Sequence, residues 1–129
     1  GSSWPQLAQF PIDGQQVISS KEALDLEDIP RSIIIVGGGV EGCEFACLFS
    51  GLGSHVTLVE MMPTLLPGED EDTVAILARE FKKRKVQVYL NATIQDWQAT
   101  ADGIQATLSS GESVIGEKMF IAVGRRMNS

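Results

Sequence analysis

The spacing of apolar and polar positions changes repeatedly along this chain of 129 residues. Residues 33–36 read Ile-Ile-Ile-Val without a polar break, and residues 55–60 read HVTLVE. Short continuous apolar runs suit strands covered on both faces, as in a parallel sheet. The pattern predicts strands over 32–36 and 55–60. Between them, Gly42, Ala46 and Ser50 recur at i, i+4 and i+8. That is helical spacing, and such small side chains let a helix over about 40–52 lie close to a sheet. Gly51 and Gly53 stop it.

A second long helix is expected over about 70–85. Its first turn is acidic (Glu69, Asp70, Glu71, Asp72) and its last is basic (Lys82, Lys83, Arg84, Lys85). Both ends complement the helix dipole. Val74, Leu77, Ala78 and Phe81 form its apolar stripe. The basic run reads as a solvated helix end rather than an anion site. Residues 61–68, with Pro63, Pro67 and Gly68, form the loop before this helix.

The period then shortens. Residues 86–90 read as a third strand. Residues 93–100, 103–108 and 112–115 are short β-prone runs, parted by turn signals at Asp102-Gly103 and Ser110-Gly111. Residues 118–123 form a final apolar strand ending at Gly124. Upstream, residues 4–16 carry Pro5, Pro11 and Gly14 and read as an irregular lead-in. Ser19 and Glu22 make a capping box for a short helix through Ala23 and Leu24. Asp28-Ile29-Pro30 closes it and feeds the first strand. The expected order is βαβαβ, a three-stranded meander, and a strand that can rejoin the parallel sheet.

The turn after the first strand carries the chemistry. Gly37, Gly39 and Gly42 form a Gly-x-Gly-x-x-Gly motif between a strand and a helix. Gly37 permits a tight turn, Gly39 lets backbone approach a pyrophosphate, and Gly42 lets the helix pack against the sheet. The helix start offers free N–H groups and its positive dipole end to phosphates. Glu60 closes the second strand twenty-one residues after Gly39. A carboxylate there can accept hydrogen bonds from ribose hydroxyls. A glycine-rich loop with no nucleotide is the plainer alternative, but strand, helix and acid all agree with the motif.

Composition narrows the classes. Hydrophobic content of 43% and charged content of 21% suit one globular domain. No apolar stretch is long enough to span a membrane. Residues 1–4 lack the basic and apolar regions of a signal peptide, and Gly1-Ser2-Ser3 has the look of a cloning scar. The net charge of −7 disfavours a nucleic-acid partner. A dinucleotide held by backbone N–H groups needs few cationic side chains. Cys43 and Cys47 lie four apart on the predicted helix, which is not Cys-x-x-Cys spacing. Their Cβ atoms would stand about 5–6 Å apart, too far for an unstrained disulfide. They read as small packing residues, in keeping with a reducing cytoplasm.

The stretches VISSKEALDLEDIP, IIIVGGGVEGCEFA, LGSHVTLVE, TLLPGEDED and AVGRRMN together resemble a family. It is the pyridine nucleotide–disulfide oxidoreductases, nearest the dihydrolipoamide dehydrogenase type, and specifically their central nucleotide domain. The resemblance runs from about Ile12 to Asn128. It implies an α/β fold of the FAD/NAD(P)-binding type: a Rossmann-like parallel sheet flanked by helices, with the meander as a crossover. It divides the chain into a tag and lead-in over 1–11 and an NAD-binding domain over 12–129, excised from a larger flavoenzyme. The redox cysteines, the flavin domain and the catalytic base would lie elsewhere in a homodimeric parent. The piece alone would therefore bind nucleotide without turnover. His55 reads as a surface or packing residue.

By the same resemblance, NAD(H) would be the ligand and FAD would sit mainly outside this chain. Gly37, Gly39, Val40 and Gly42 would form the pyrophosphate turn, with Gly38 and Glu41 counted among the cofactor-binding positions. Glu44 would lie near the nicotinamide carboxamide, or else be a solvated helix residue. Glu60 would bind the adenosine ribose, and Met61 after it is counted among the cofactor-binding positions. Ala122, Val123 and Gly124 would lie beside the nicotinamide ribose, or simply end a buried strand. NAD is favoured over NADP because Glu60 repels a 2′-phosphate and Met61 and Met62 follow where NADP-preferring relatives place arginine. Two positions depart from the family. Glu41 replaces an apolar residue and brings a charge near the phosphates, and Met127 replaces a proline. Other members remain open: an NADH oxidase, or a mercuric, coenzyme A–disulfide or ferredoxin reductase. So does a stand-alone NAD(H)-sensing module, against which the meander and the AVGRRMN tail speak. An S-adenosylmethionine methyltransferase would leave the third glycine without a purpose.

Overall fold

The computed structural model describes residues 12–122. Five strands form one sheet in the order β1-β8-β2-β3-β4, every pair parallel. They are β1 (Val17–Ile18), β2 (Ser32–Val36), β3 (His55–Val59), β4 (Gln87–Tyr89) and β8 (Lys118–Ile121). Three helices connect them: α1 (Ser20–Ala23), α2 (Val40–Gly51) and α3 (Glu71–Lys83). A second, antiparallel sheet holds β5 (Ile94–Thr100), β6 (Gly103–Leu108) and β7 (Ser113–Gly116).

The unbroken apolar run of β2 follows from this layering. Ile33 and Ile35 face the helices and pack with Cys43, Ala46, Phe49 and Phe81. Ile34 and Val36 face the other way and pack with Ile94, Ala106, Leu108 and Val114 of the meander. Alternate side chains of a strand leave on opposite faces, so a central strand between two apolar layers has no position for a polar residue. The meander thus covers the face that a crossover helix would otherwise cover. Gly116 of β7 seats it: a Cβ there would stand 3.0 Å from Ile34.

The expected elements appear with small shifts at their ends. Helix α3 is capped by Asp70, whose Oδ1 accepts the Thr73 N–H at 2.8 Å. It ends at Lys83, because Arg84 caps it and Lys85 turns to φ +62°. Ala78, expected on its apolar stripe, is exposed, and only Phe81 of this helix is fully buried. On α2, Gly42 and Ala46 are buried while Ser50 is only half-buried. Glu22 reaches back to the Ser19 N–H at 2.8 Å, the reciprocal half of a capping box.

One element was not foreseen. Residues 12–16 of the lead-in are irregular, as expected, but they are tied together: Asp13 Oδ1 accepts the N–H groups of Gln15, Gln16 and Val17 at 2.8–3.0 Å. That loop delivers Val17–Ile18 to β8 as an edge strand. Val123, Gly124 and the rest of the tail lie outside the described residues, as do residues 1–11. No helix among the described residues is long and apolar enough to cross a membrane.

Candidate functional site

The C-terminal ends of β2, β3 and β8 meet at one edge of the parallel sheet. The strand β2 prolongs itself through Gly37, whose N–H donates to Val59 O at 2.8 Å. Gly37 then turns at φ +113°, a conformation costly for any residue with a side chain. Gly39 is the N-cap of α2, and the first intrahelical bond is Cys43 N–H to Gly39 O at 2.9 Å. The N–H groups of Gly39, Val40, Glu41 and Gly42 therefore have no intrahelical acceptor. They sit at the positive end of the α2 dipole.

The three motif glycines have separable structural reasons. A Cβ on Gly42 would lie 1.8 Å from Gly37 O, so the helix start is packed directly on the strand end. The same Cβ would be 3.4 Å from Ala122 Cβ, which brings Ala122 to this edge. The Ala122 N–H in turn donates to Val36 O at 2.8 Å. A Cβ on Gly39, by contrast, meets nothing within 4 Å. Its backbone angles (φ −79°, ψ −162°) suit any residue. Among the described residues nothing calls for glycine at position 39, and the space before it is open.

Gly38 has a role its motif position does not disclose. A Cβ there would meet Leu65 Cδ2 at 2.9 Å and Glu60 Cβ at 3.0 Å. Its N–H donates to Glu60 Oε1 at 2.6 Å, and its carbonyl accepts the Leu66 N–H at 2.8 Å. The Cys43 thiol also reaches this carbonyl, at 3.4 Å. The segment after β3 is thus braced against the glycine turn by Glu60, Leu65 and Leu66. Gly38 and Glu60 were legible in sequence as site positions, but the bond between them was not. The two leucines are ordinary loop residues until the fold places them.

Glu60 is 4% exposed, and its Oε2 accepts the Met62 N–H at 2.7 Å. Met61 beside it is half-buried. Glu41 is exposed, so its charge stands in solvent rather than in the turn. Glu44 is exposed too; with Val40 and Cys47 it lines an apolar cleft of about 310 Å³, closed opposite by Leu66 and Leu77. Cys43 and Cys47 are both free. Burial, with Cys47 and the Glu60 charge nearby, pushes the Cys43 thiol up to about 12. It is a packing group and a poor nucleophile at neutral pH. His55 is exposed at the start of β3, far along the strand from the glycine turn. No cluster of three or more metal-ligating side chains occurs among the described residues.

A strand, a glycine turn, a helix N-terminus and a buried acid at the next strand end form the arrangement of a dinucleotide fold. The sequence model of the pyridine nucleotide-disulphide oxidoreductases matches residues 1–129, and the chain belongs to that family. Within it the domain is dihydrolipoyl dehydrogenase-like. A dihydrolipoyl dehydrogenase of Bacillus subtilis is 38% identical over 98% of this chain, which spans 28% of the relative's length. The crystal structure of LpdA from Mycobacterium tuberculosis is 31% identical, with a TM-score of 0.84 over 96% of this chain and 27% of its own. A water-forming NADH oxidase from Lactobacillus brevis, solved bound to NADH, is 26% identical with a TM-score of 0.77. It is matched over 92% of this chain and 28% of its own.

Proposed function

We propose that residues 12–129 are the NAD(H)-binding domain of a flavin-dependent oxidoreductase of the dihydrolipoyl dehydrogenase type. The observation that carries this reading is the contrast between Gly42 and Gly39. Glycine at 42 is demanded by a 1.8 Å approach inside the chain, whereas glycine at 39 borders open space at a helix N-terminus. A pyrophosphate in that space would meet unpaired N–H groups and no Cβ. The NADH-bound relative of the same fold supports the choice of ligand.

In this reading the free N–H groups of Gly39, Val40, Glu41 and Gly42 face the pyrophosphate, and Gly37 and Gly38, whose own N–H groups bond Val59 and Glu60, shape the turn that presents them. Glu60 and Met61 meet the adenosine ribose. Ala122, Val123 and Gly124 flank the nicotinamide ribose, and Glu44 stands towards the carboxamide. When bound, the nicotinamide exchanges a hydride with an FAD held mainly by another domain of the same parent chain. This domain supplies orientation only, and the parent is a homodimer. Two free thiols suit a cytoplasmic setting. Selection of NAD rests on charge. No Lys or Arg occurs between Arg31 and Arg79, so nothing near Glu60 in sequence would balance a 2′-phosphate.

Calorimetric titration of the chain with NADH and NADPH tests the reading. NADH is expected to bind weakly, and NADPH more weakly still. Tighter binding of NADPH would reverse the cofactor assignment, and binding of neither would remove the proposal.

A further inference from the structure

We propose that the Glu60 carboxylate is a positioning group for the glycine turn, in addition to any contact it makes with a sugar. This rests on the dinucleotide reading above. The carboxylate accepts one backbone N–H on each oxygen, from Gly38 at 2.6 Å and from Met62 at 2.7 Å. Hydrogen bonds to an ionised acceptor are short and stronger than neutral ones. The residue itself is fixed from both sides: its N–H donates to Tyr89 O at 2.9 Å and its carbonyl accepts the Ala92 N–H at 3.1 Å. The carboxylate is therefore an anchor, and the turn is what it holds.

The Gly38 N–H belongs to the same rigid peptide plane as the Gly37 carbonyl. Gly37 O is the atom that lies 1.8 Å from where a Gly42 Cβ would be. One end of this peptide is thus gripped by Glu60, and the other is the surface on which the first turn of α2 rests. Rotation of the peptide would move its carbonyl against Gly42 and shift the N–H groups that open the helix. Glu60 accordingly sets the direction of those donors without touching a phosphate. A carboxylate has about four lone-pair sites. The two backbone donors occupy half of them, so holding the turn and receiving sugar hydroxyls are compatible.

The test compares the wild-type chain with Glu60→Gln and Glu60→Ala. Each is titrated with NADH and with an NADH analogue whose adenosine ribose lacks both hydroxyls. If Glu60 acted on the sugar alone, neither substitution would alter binding of the analogue. Glutamine keeps the size but offers one oxygen and one NH₂, so one of the two backbone donors would face another donor. Glu60→Gln is expected to weaken the analogue about tenfold, in line with the loss of a hydrogen bond to a charged acceptor. Amide exchange should quicken at Gly38 and Met62 and stay unchanged at Ile34 and Ile35, which shows that the sheet is intact. Glu60→Ala should do the same more strongly; should it fail to fold, Glu60→Gln decides. Equal analogue affinity in wild type and Glu60→Gln, with unchanged exchange at Gly38, overturns the proposal. Failure of the wild type to bind NADH overturns the dinucleotide reading and this inference with it.

Discussion

Gly38 and Glu60 lie twenty-two positions apart and are joined by a 2.6 Å hydrogen bond from the Gly38 N–H to the Glu60 carboxylate. The same two residues nearly touch at carbon, since a Cβ on Gly38 would stand 3.0 Å from Glu60 Cβ. The acid and the turn are one packed unit, closed on its outer side by Leu65. Gly38→Ala should therefore lower stability by about 1–3 kcal/mol, the usual cost of overfilling a packed site. It should also weaken NADH, because the turn must open to admit the methyl. Urea denaturation and a titration on the folded variant check both effects.

Gly39 and Gly42 should behave oppositely. Gly42→Ala drives a methyl into Gly37 O, a backbone atom that cannot step aside. A loss of about 4 kcal/mol or more, or failure to fold, is expected. A Cβ at position 39 meets no atom of the described residues within 4 Å, and the backbone angles there are already extended, so Gly39→Val should fit the fold. It should cost about 1 kcal/mol, the difference between a good and a poor N-cap residue. NADH binding should nonetheless disappear, because the side chain fills the phosphate space. Thermal melts set beside titrations separate the two outcomes; a Gly39→Val chain with undiminished affinity would argue against the site.

What could be read in advance divides along physical lines. The Ile33–Val36 run announced a strand buried on both faces because periodicity is local, and the motif glycines were legible because their spacing encodes a known packing problem. The two-residue strand β1 has no period to read; it exists because Asp13 gathers three N–H groups and hands Val17–Ile18 to β8. Ala78 sat at the right interval for the buried stripe of α3 but lies exposed, since alanine is tolerated on either face of a helix. The constraint on Gly38 was invisible, as it comes from Leu65 and Glu60, brought in by tertiary folding.

The two thiols should differ sharply in reactivity. Cys43 is 4% exposed and raised to about 12, whereas Cys47 is half-buried beside it. Iodoacetamide at pH 8 should label the Cys47 peptide in the native chain, and both cysteines after unfolding, as read by mass spectrometry. The raised value also has a sign. Above the ordinary value of 9.0 the unfolded chain loses this proton while the folded chain keeps it, up to about 12. Stability is full below 9 and falls as pH rises through that window. Cys43→Ala should flatten the alkaline decline in reducing buffer.

At acid pH the α3 cap gives a complementary test. The Thr73 backbone N–H, with the Thr73 side chain, holds the Asp70 carboxyl below its ordinary value of 3.8. A depressed carboxylate stabilises the fold above its unfolded pKa and ceases to do so as pH falls through the lower folded value. The gap in urea midpoint between wild type and Asp70→Ala should hold its full size at neutral pH. It should begin to close below about pH 4 and be lost at stronger acid. A gap independent of pH would mean that the cap does not act through its charge.

A cofactor switch would draw on both roles assigned to Glu60. Glu60→Ala with Met61→Arg and Met62→Arg removes the charge that repels a 2′-phosphate and supplies two that attract it. The ratio of NADPH to NADH affinity should rise by about tenfold or more, since each favourable contact to a charged group is worth at least that factor. Absolute affinity for NADH should nevertheless fall, because the Gly38 and Met62 N–H groups lose their acceptor and the turn is no longer held. Keeping Glu60 and adding only the two arginines should preserve the turn while leaving the repulsion in place. Comparison of the triple and double variants by titration with both nucleotides separates the sugar-selecting role of the carboxylate from its hold on the backbone. If the ratio fails to move in the triple variant, ribose recognition lies elsewhere on the domain.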